Sequence, residues 1–232
     1  MTWAHPFCRR NFLGLCLLLG LWTTGFQGAA ATSESGTANK ASEKRRVVVL
    51  GDSITAGYGL DISEAYPALL QGKIDAAKLP FVVVNAGVSG DTTSGGLRRI
   101  DWVLKQPIDT LIIALGGNDG LRGIQVGVTQ SNLIAIATKT LQKYPGAQVV
   151  IAGMQMPPNM GAEYTGNFKR LFEEVAKETH AALVPFLLEG VGGKAELNQP
   201  DLIHPTAEGQ KKVADNVWAV LEPILKRRTE RQ

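Results

Sequence analysis

Short apolar runs separated by longer amphipathic stretches organise the chain from about residue 45 onward. The runs Val47–Leu50, Phe81–Asn85, Thr110–Leu115, Gln148–Ala152 and Ala182–Phe186 are too continuously apolar for strands with one wet face. Helical patterns fill Glu64–Lys78, Thr92–Lys105, Gln125–Tyr144, Tyr164–Thr179 and Ala207–Lys226. Alternation of this kind predicts βαβ units and a parallel sheet of five strands covered on both faces. In such a sheet the loops beyond the carboxyl ends of the strands converge on one rim, where ligands collect.

The N-terminal segment has a different pattern. Arg9 and Arg10 precede an apolar stretch from Phe12 to Trp22, and Gly28–Ala31 supplies small residues for cleavage. These three parts make an export signal over residues 1–31, with an apolar core too short to span a bilayer comfortably. The expectation is an exported protein, periplasmic or secreted, without a stable membrane anchor. The stretch Arg9-Arg10-Asn11-Phe12-Leu13 also resembles a twin-arginine signal, so the Sec and twin-arginine routes both stay open. Residues 32–44 lack large apolar side chains and read as a flexible tether, leaving residues 45–232 as one folded domain.

Composition narrows the function classes. Cys8 and Cys16 are the only cysteines, and both fall in the signal, so no disulfide is expected in the mature chain. Removing Arg9 and Arg10 lowers the formal charge from +3 to +1, which provides no basic field for a nucleic-acid partner. The cluster Lys226-Arg227-Arg228 with Arg231 reads as the solvated end of the last helix. Nothing in the sequence calls for more than a monomer.

The candidate chemistry sits in the loops. GDSITAGYG, starting at Gly51, places Ser53 on a glycine-flanked bend directly after the first apolar run. Ser89-Gly90-Asp91 follows the second run, Gly116-Gly117-Asn118-Asp119 the third, and Met154–Asn159 the fourth. DLIHP, Asp201 to Pro205, adds a carboxylate and an imidazole before the last helix. A serine hydroxyl is a poor nucleophile unless a base lies within hydrogen-bond reach and that base is held in one tautomer. Two histidines follow the signal; His180 ends a helical pattern, which leaves His204 as the well-placed base. Thr206 is the better N-cap for the last helix, with Glu208 and Gln210 in its first turn, and this frees Asp201 to orient His204. Asp52, Asp91 and Asp119 lie beside tight turns and read as structural groups bonded to nearby backbone amides.

The blocks GDSITAGYG, NAGVSGDTTSGG, LGGNDGLRG and DLIHPTAEGQ follow one another in that order, and a similarity that runs through them extends over nearly all of the mature chain. In these blocks the chain resembles the GDSL or SGNH hydrolases, and most closely their periplasmic arylesterase, thioesterase and lysophospholipase group. The resemblance implies a flavodoxin-like three-layer α/β/α sandwich with strand order 2-1-3-4-5, acting without metal or organic cofactor. It further implies Ser53 as nucleophile, His204 as general base and acid, and Asp201 as the group that orients the imidazole. The implied oxyanion donors are the backbone N–H groups of Ser53 and Gly90 and the side-chain amide of Asn118. Glycine at position 90 suits a close backbone approach with positive φ.

Other frameworks lack their signatures. The sequence has no G-x-S-x-G elbow, S-x-x-K pair, H-E-x-x-H helix, P-loop or G-x-G-x-x-G fingerprint. A lipid- or glycan-binding module without turnover would leave the assembled nucleophile, base and donors unexplained. Hydrolysis of acetylated carbohydrate would call for aromatic platforms, for which the nearby candidates are Tyr58, Tyr66 and Tyr164. The segments Leu121–Val128 and Met154–Met160 offer apolar side chains instead, with Leu121 and Pro158 as candidate contacts to an acyl chain. The expected substrates are small-molecule esters, thioesters or lysophospholipids carrying medium-length acyl groups.

Overall fold

The computed structural model describes residues 44–230. The export signal, the alternative routes, both cysteines and all but the last residue of the tether lie outside these residues. Strands β1 (Arg45–Gly51), β2 (Phe81–Gly87), β3 (Thr110–Ala114), β4 (Gln148–Ala152) and β5 (Ala182–Val184) form one sheet in the order β2-β1-β3-β4-β5. Every pairing is parallel. Around it lie helices α1 (Ser53–Ala56), α2 (Tyr66–Ala76), α3 (Thr93–Val103), α4 (Gly117–Leu121), α5 (Val126–Lys143), α6 (Ala162–Glu178) and α7 (Ala207–Glu230).

The apolar pattern explains the layers. Central strand β3 is buried along its whole length, which requires cover on both faces of the sheet. Helix α2 packs against α7, while α3, α5 and α6 pack side by side as the second layer. Edge strand β2 stays half-buried after Phe81. Among the described residues, no helix is long and apolar enough to cross a membrane.

Boundaries depart from the expected ones where local chemistry intervenes. Helix α2 starts at Tyr66 because Pro67 suits the first turn, and the preceding Ile62–Glu64 forms a separate 3₁₀ turn capped by Asp61. Helix α6 starts two residues early, at Ala162 after Gly161, and β5 ends at Val184 before Pro185. Helix α7 runs on to Glu230 through Pro223. Part of this extension is held by Arg228, which was expected in solvent. Its Nε and Nη2 instead donate to Asp109 at 2.6 and 2.8 Å, beside a third bond from Arg45 Nε to the same carboxylate at 2.7 Å. The pattern of charges along the helix did not reveal that partner.

Candidate active site

The turn after β1 is a short helix rather than an open loop. Asp52 caps α1 by accepting the Ile54 N–H at 3.0 Å, and Gly57 closes it with φ 78°. Ser53 therefore stands in the first position of α1, at the carboxyl end of β1. A Cβ on Gly51 would overlap Thr55 Oγ1, so glycine permits the abrupt turn from strand to helix. Buried Gln210, reaching across from α7, donates to the Ile54 carbonyl at 3.0 Å and accepts the Tyr66 N–H at 2.9 Å. Thr206 caps α7 as expected, accepting the Gly209 N–H at 3.2 Å.

Asp201 and His204 meet Ser53 across the rim. His204 Nε2 lies 2.9 Å from Ser53 Oγ, and His204 Nδ1 lies 2.6 Å from Asp201 Oδ2. Asp201 Oδ1 accepts the N–H groups of Ile203 at 2.9 Å and His204 at 3.0 Å. The His204 backbone N–H, the imidazole and the Ile203 N–H together hold the Asp201 carboxyl down at about 2, so it stays ionised at neutral pH. The ring of Tyr58 packs tilted against the imidazole, centroid to centroid 4.5 Å with 39° between the planes. Of the three aromatic candidates, Tyr58 is exposed, Tyr66 is fully buried, and Tyr164 is half-buried with its hydroxyl donating to the Ile124 carbonyl. His180 is exposed and closes α6 in the left-handed region, at φ 53°.

The remaining candidates occupy the adjoining loops. Gly90 has φ 78°, in a turn closed by the Asp91 N–H on the Val88 carbonyl at 3.0 Å. Asn118 lies at the start of α4, where its Nδ2 donates to the Asp91 carbonyl at 2.9 Å. An amide nitrogen carries two protons, so one remains for another acceptor. Arg99 holds this corner together: it donates to Asp91 Oδ2 at 2.7 Å, to the Ala86 carbonyl at 2.8 Å and to the Gly51 carbonyl at 3.0 Å. Leu121 and Pro158 line one cavity of about 350 Å³ together with Ile54, Met154, Phe186 and Ile203.

The three other carboxylates hold structure together, but only Asp52 does so by bonding a nearby amide. Asp91 pairs with Arg99, and Asp119 accepts from the Thr93 N–H and hydroxyl of distant α3. Burial at 3 % exposure pushes the Asp52 carboxyl up to about 6, against the lowering effect of its Ile54 bond. An unfolded aspartate titrates at 3.8, so the folded protein holds this proton more tightly. The resulting stabilisation is complete below 3.8 and is lost as pH rises through about 6. Asp52→Asn keeps the cap acceptor without that loss. Its advantage over the parent in unfolding free energy is expected to grow from pH 4 to pH 7 by roughly 2 to 3 kcal/mol. Parallel stability curves for the two proteins across this range would count against the burial effect.

A parallel α/β sheet carrying a serine, an imidazole and a carboxylate in one hydrogen-bonded line at its carboxyl rim is the architecture of a serine hydrolase. Comparison with known proteins makes the class specific. Residues 49–212 match the model of the GDSL-like lipase/acylhydrolase family, and the chain belongs to that family. It is 44% identical to the esterase TesA of Pseudomonas aeruginosa over 77% of this chain and 89% of that protein. To the thioesterase 1/protease 1/lysophospholipase L1 of Escherichia coli K12 it is 36% identical, over 80% of this chain and 88% of the relative. The crystal structure of the esterase EstA from Pseudoalteromonas sp., inhibited by monoethylphosphonate, superposes with a TM-score of 0.73. That match has 35% identity and covers 78% of this chain and 99% of that one.

Proposed function

We propose that the protein is an exported, monomeric serine esterase that hydrolyses carboxylic esters and thioesters of medium-length acyl groups through an acyl-enzyme on Ser53. The observation that carries this reading is the line from Ser53 Oγ to His204 Nε2 and from His204 Nδ1 to Asp201 Oδ2. Ser53 Oγ attacks the acyl carbonyl as its proton passes to His204 Nε2, and Asp201 stabilises the imidazolium. The oxyanion accepts from the Ser53 and Gly90 N–H groups and from the free N–H of Asn118. His204 then protonates the departing alkoxide or thiolate. Water, deprotonated by the same imidazole, releases the acid and restores Ser53.

What lines the cavity and what the relatives are called support this substrate class. Apolar Leu121, Met154 and Phe186 favour an acyl chain over a sugar. The names of the Pseudomonas and Escherichia relatives include esterase, thioesterase and lysophospholipase. Export rests on the pattern of residues 1–31.

A series of p-nitrophenyl esters and acyl thioesters of increasing chain length, set against acetylated sugars, tests the proposal. Each buried methylene contributes up to about 0.8 kcal/mol, close to fourfold in kcat/KM, until the cavity is filled. The expected result is a rise from acetate to medium chains followed by a plateau. Preference for acetyl xylan or acetyl pectin over every fatty ester would overturn the acyl-chain assignment.

A further inference from the structure

The loop carrying Asp201 and His204 contains one left-handed residue, Leu202, at φ 58°. Hydrogen bonds hold the backbone on both sides of it. The Leu202 N–H donates to the Gln199 carbonyl at 2.8 Å, and Asp201 Oδ1 accepts the next two N–H groups along the chain. Glycine adopts this geometry freely and asparagine with little penalty, whereas the Cβ of leucine crowds the following carbonyl oxygen. The two bonds fix the Asp201 carboxylate and give no reason for a leucine at this left-handed position.

The side chain supplies the missing reason. Leu202 is 58 % exposed, yet it lines the mouth of the apolar cavity beside Ile54, Leu121, Pro158 and Ile203. A leucine that is both mostly exposed and left-handed costs the unliganded protein stability. Its burial becomes favourable when an apolar ligand covers it. We propose that Leu202 is a specificity-determining residue whose side chain forms an outer wall of the acyl site and is covered only by a bound acyl chain. This rests on the assignment of the cavity to an acyl chain. At this one position, chain-length preference is gained at the expense of fold stability.

Leu202→Asn separates the two effects, because asparagine tolerates the left-handed region and adds no apolar wall. The readouts are the melting temperature and the ratio of kcat/KM for p-nitrophenyl octanoate to that for p-nitrophenyl acetate. The variant is expected to melt at or above the parent temperature and to lose about tenfold in the ratio, mainly through a higher KM for octanoate. Leu202→Met, which keeps an apolar side chain of similar volume, should hold the ratio within about twofold of the parent. An unchanged ratio in Leu202→Asn, with the parent still preferring octanoate, overturns the role of Leu202 and spares the cavity assignment. A parent with no preference overturns both. Equal losses on acetate and octanoate would assign Leu202 to the geometry of the Asp201–His204 loop instead, and a lower melting temperature would remove the claim of strain.

Discussion

Ser53→Ala is expected to remain folded and to lose roughly 10⁵- to 10⁶-fold in kcat on p-nitrophenyl esters, the scale set by removing the nucleophile of a serine hydrolase. The fold should tolerate the change because α1 is capped by the Asp52 carboxylate through Ile54 and anchored by Gln210 on the Ile54 carbonyl. Neither contact uses the Ser53 hydroxyl, whose bond is to His204 Nε2. Circular dichroism and the melting temperature check the fold, and a fluorophosphonate checks the chemistry. The parent should gain one covalent adduct on Ser53, located by peptide mass spectrometry, and the alanine variant none. An adduct on another serine, or turnover above about one part in a thousand of the parent, would remove Ser53 from the mechanism. The same assay separates an enzyme from a binding module, which would neither react nor turn over.

Asp201→Asn should cost about 10⁴-fold in kcat, because the asparagine amide cannot meet both sets of partners at once. Asp201 Oδ1 accepts two backbone N–H groups while Oδ2 faces His204 Nδ1. If the asparagine oxygen takes over the backbone bonds, its NH₂ points at Nδ1. The imidazole must then carry its proton on Nε2, where it can no longer accept one from Ser53. If the amide flips, the Nδ1 bond survives and the two backbone bonds fail, loosening the loop. Kinetics and thermal melting distinguish these outcomes: the first variant state is inactive with an unchanged melting temperature, the second is less stable. Fluorophosphonate labelling of Ser53 should slow in step with kcat. A loss below tenfold would show that Asp201 does not set the tautomer.

The apolar runs determined the five strands and their parallel arrangement, because a strand buried on both faces has no polar positions to alternate. Helix ends were less legible. The start of α2 depends on Pro67, and the short helices α1 and α4 span only four and five residues, too few for a helical period to show. Serine, aspartate and histidine stood out as candidates because the chemistry of each demands the others, and their blocks flank recognisable turns. The folded chain then brings Ser53 and His204, 151 positions apart, to hydrogen-bonding distance.

Other features follow from contacts that no local pattern encodes. Tyr58 packs tilted against His204, Gln210 reaches from α7 to the Ile54 carbonyl, and Arg99 ties the ends of β1 and β2 to the Asp91 carboxylate through one guanidinium. Gln210 and Arg99 looked unremarkable in sequence, since a glutamine in a first helical turn or an arginine on an amphipathic helix is ordinarily solvated. The same holds for Arg228, whose partner Asp109 is 119 positions away. Burial is the main cause that raises the Asp52 carboxyl, and the left-handed turn at Leu202 appears only in the folded loop. Composition, periodicity and motif spacing determined the class of fold and the candidate chemistry, because those depend on residue types and near neighbours. Tertiary structure decided which side chains support the site and which wall its cavity, because burial and long-range hydrogen bonding arise only when distant segments pack.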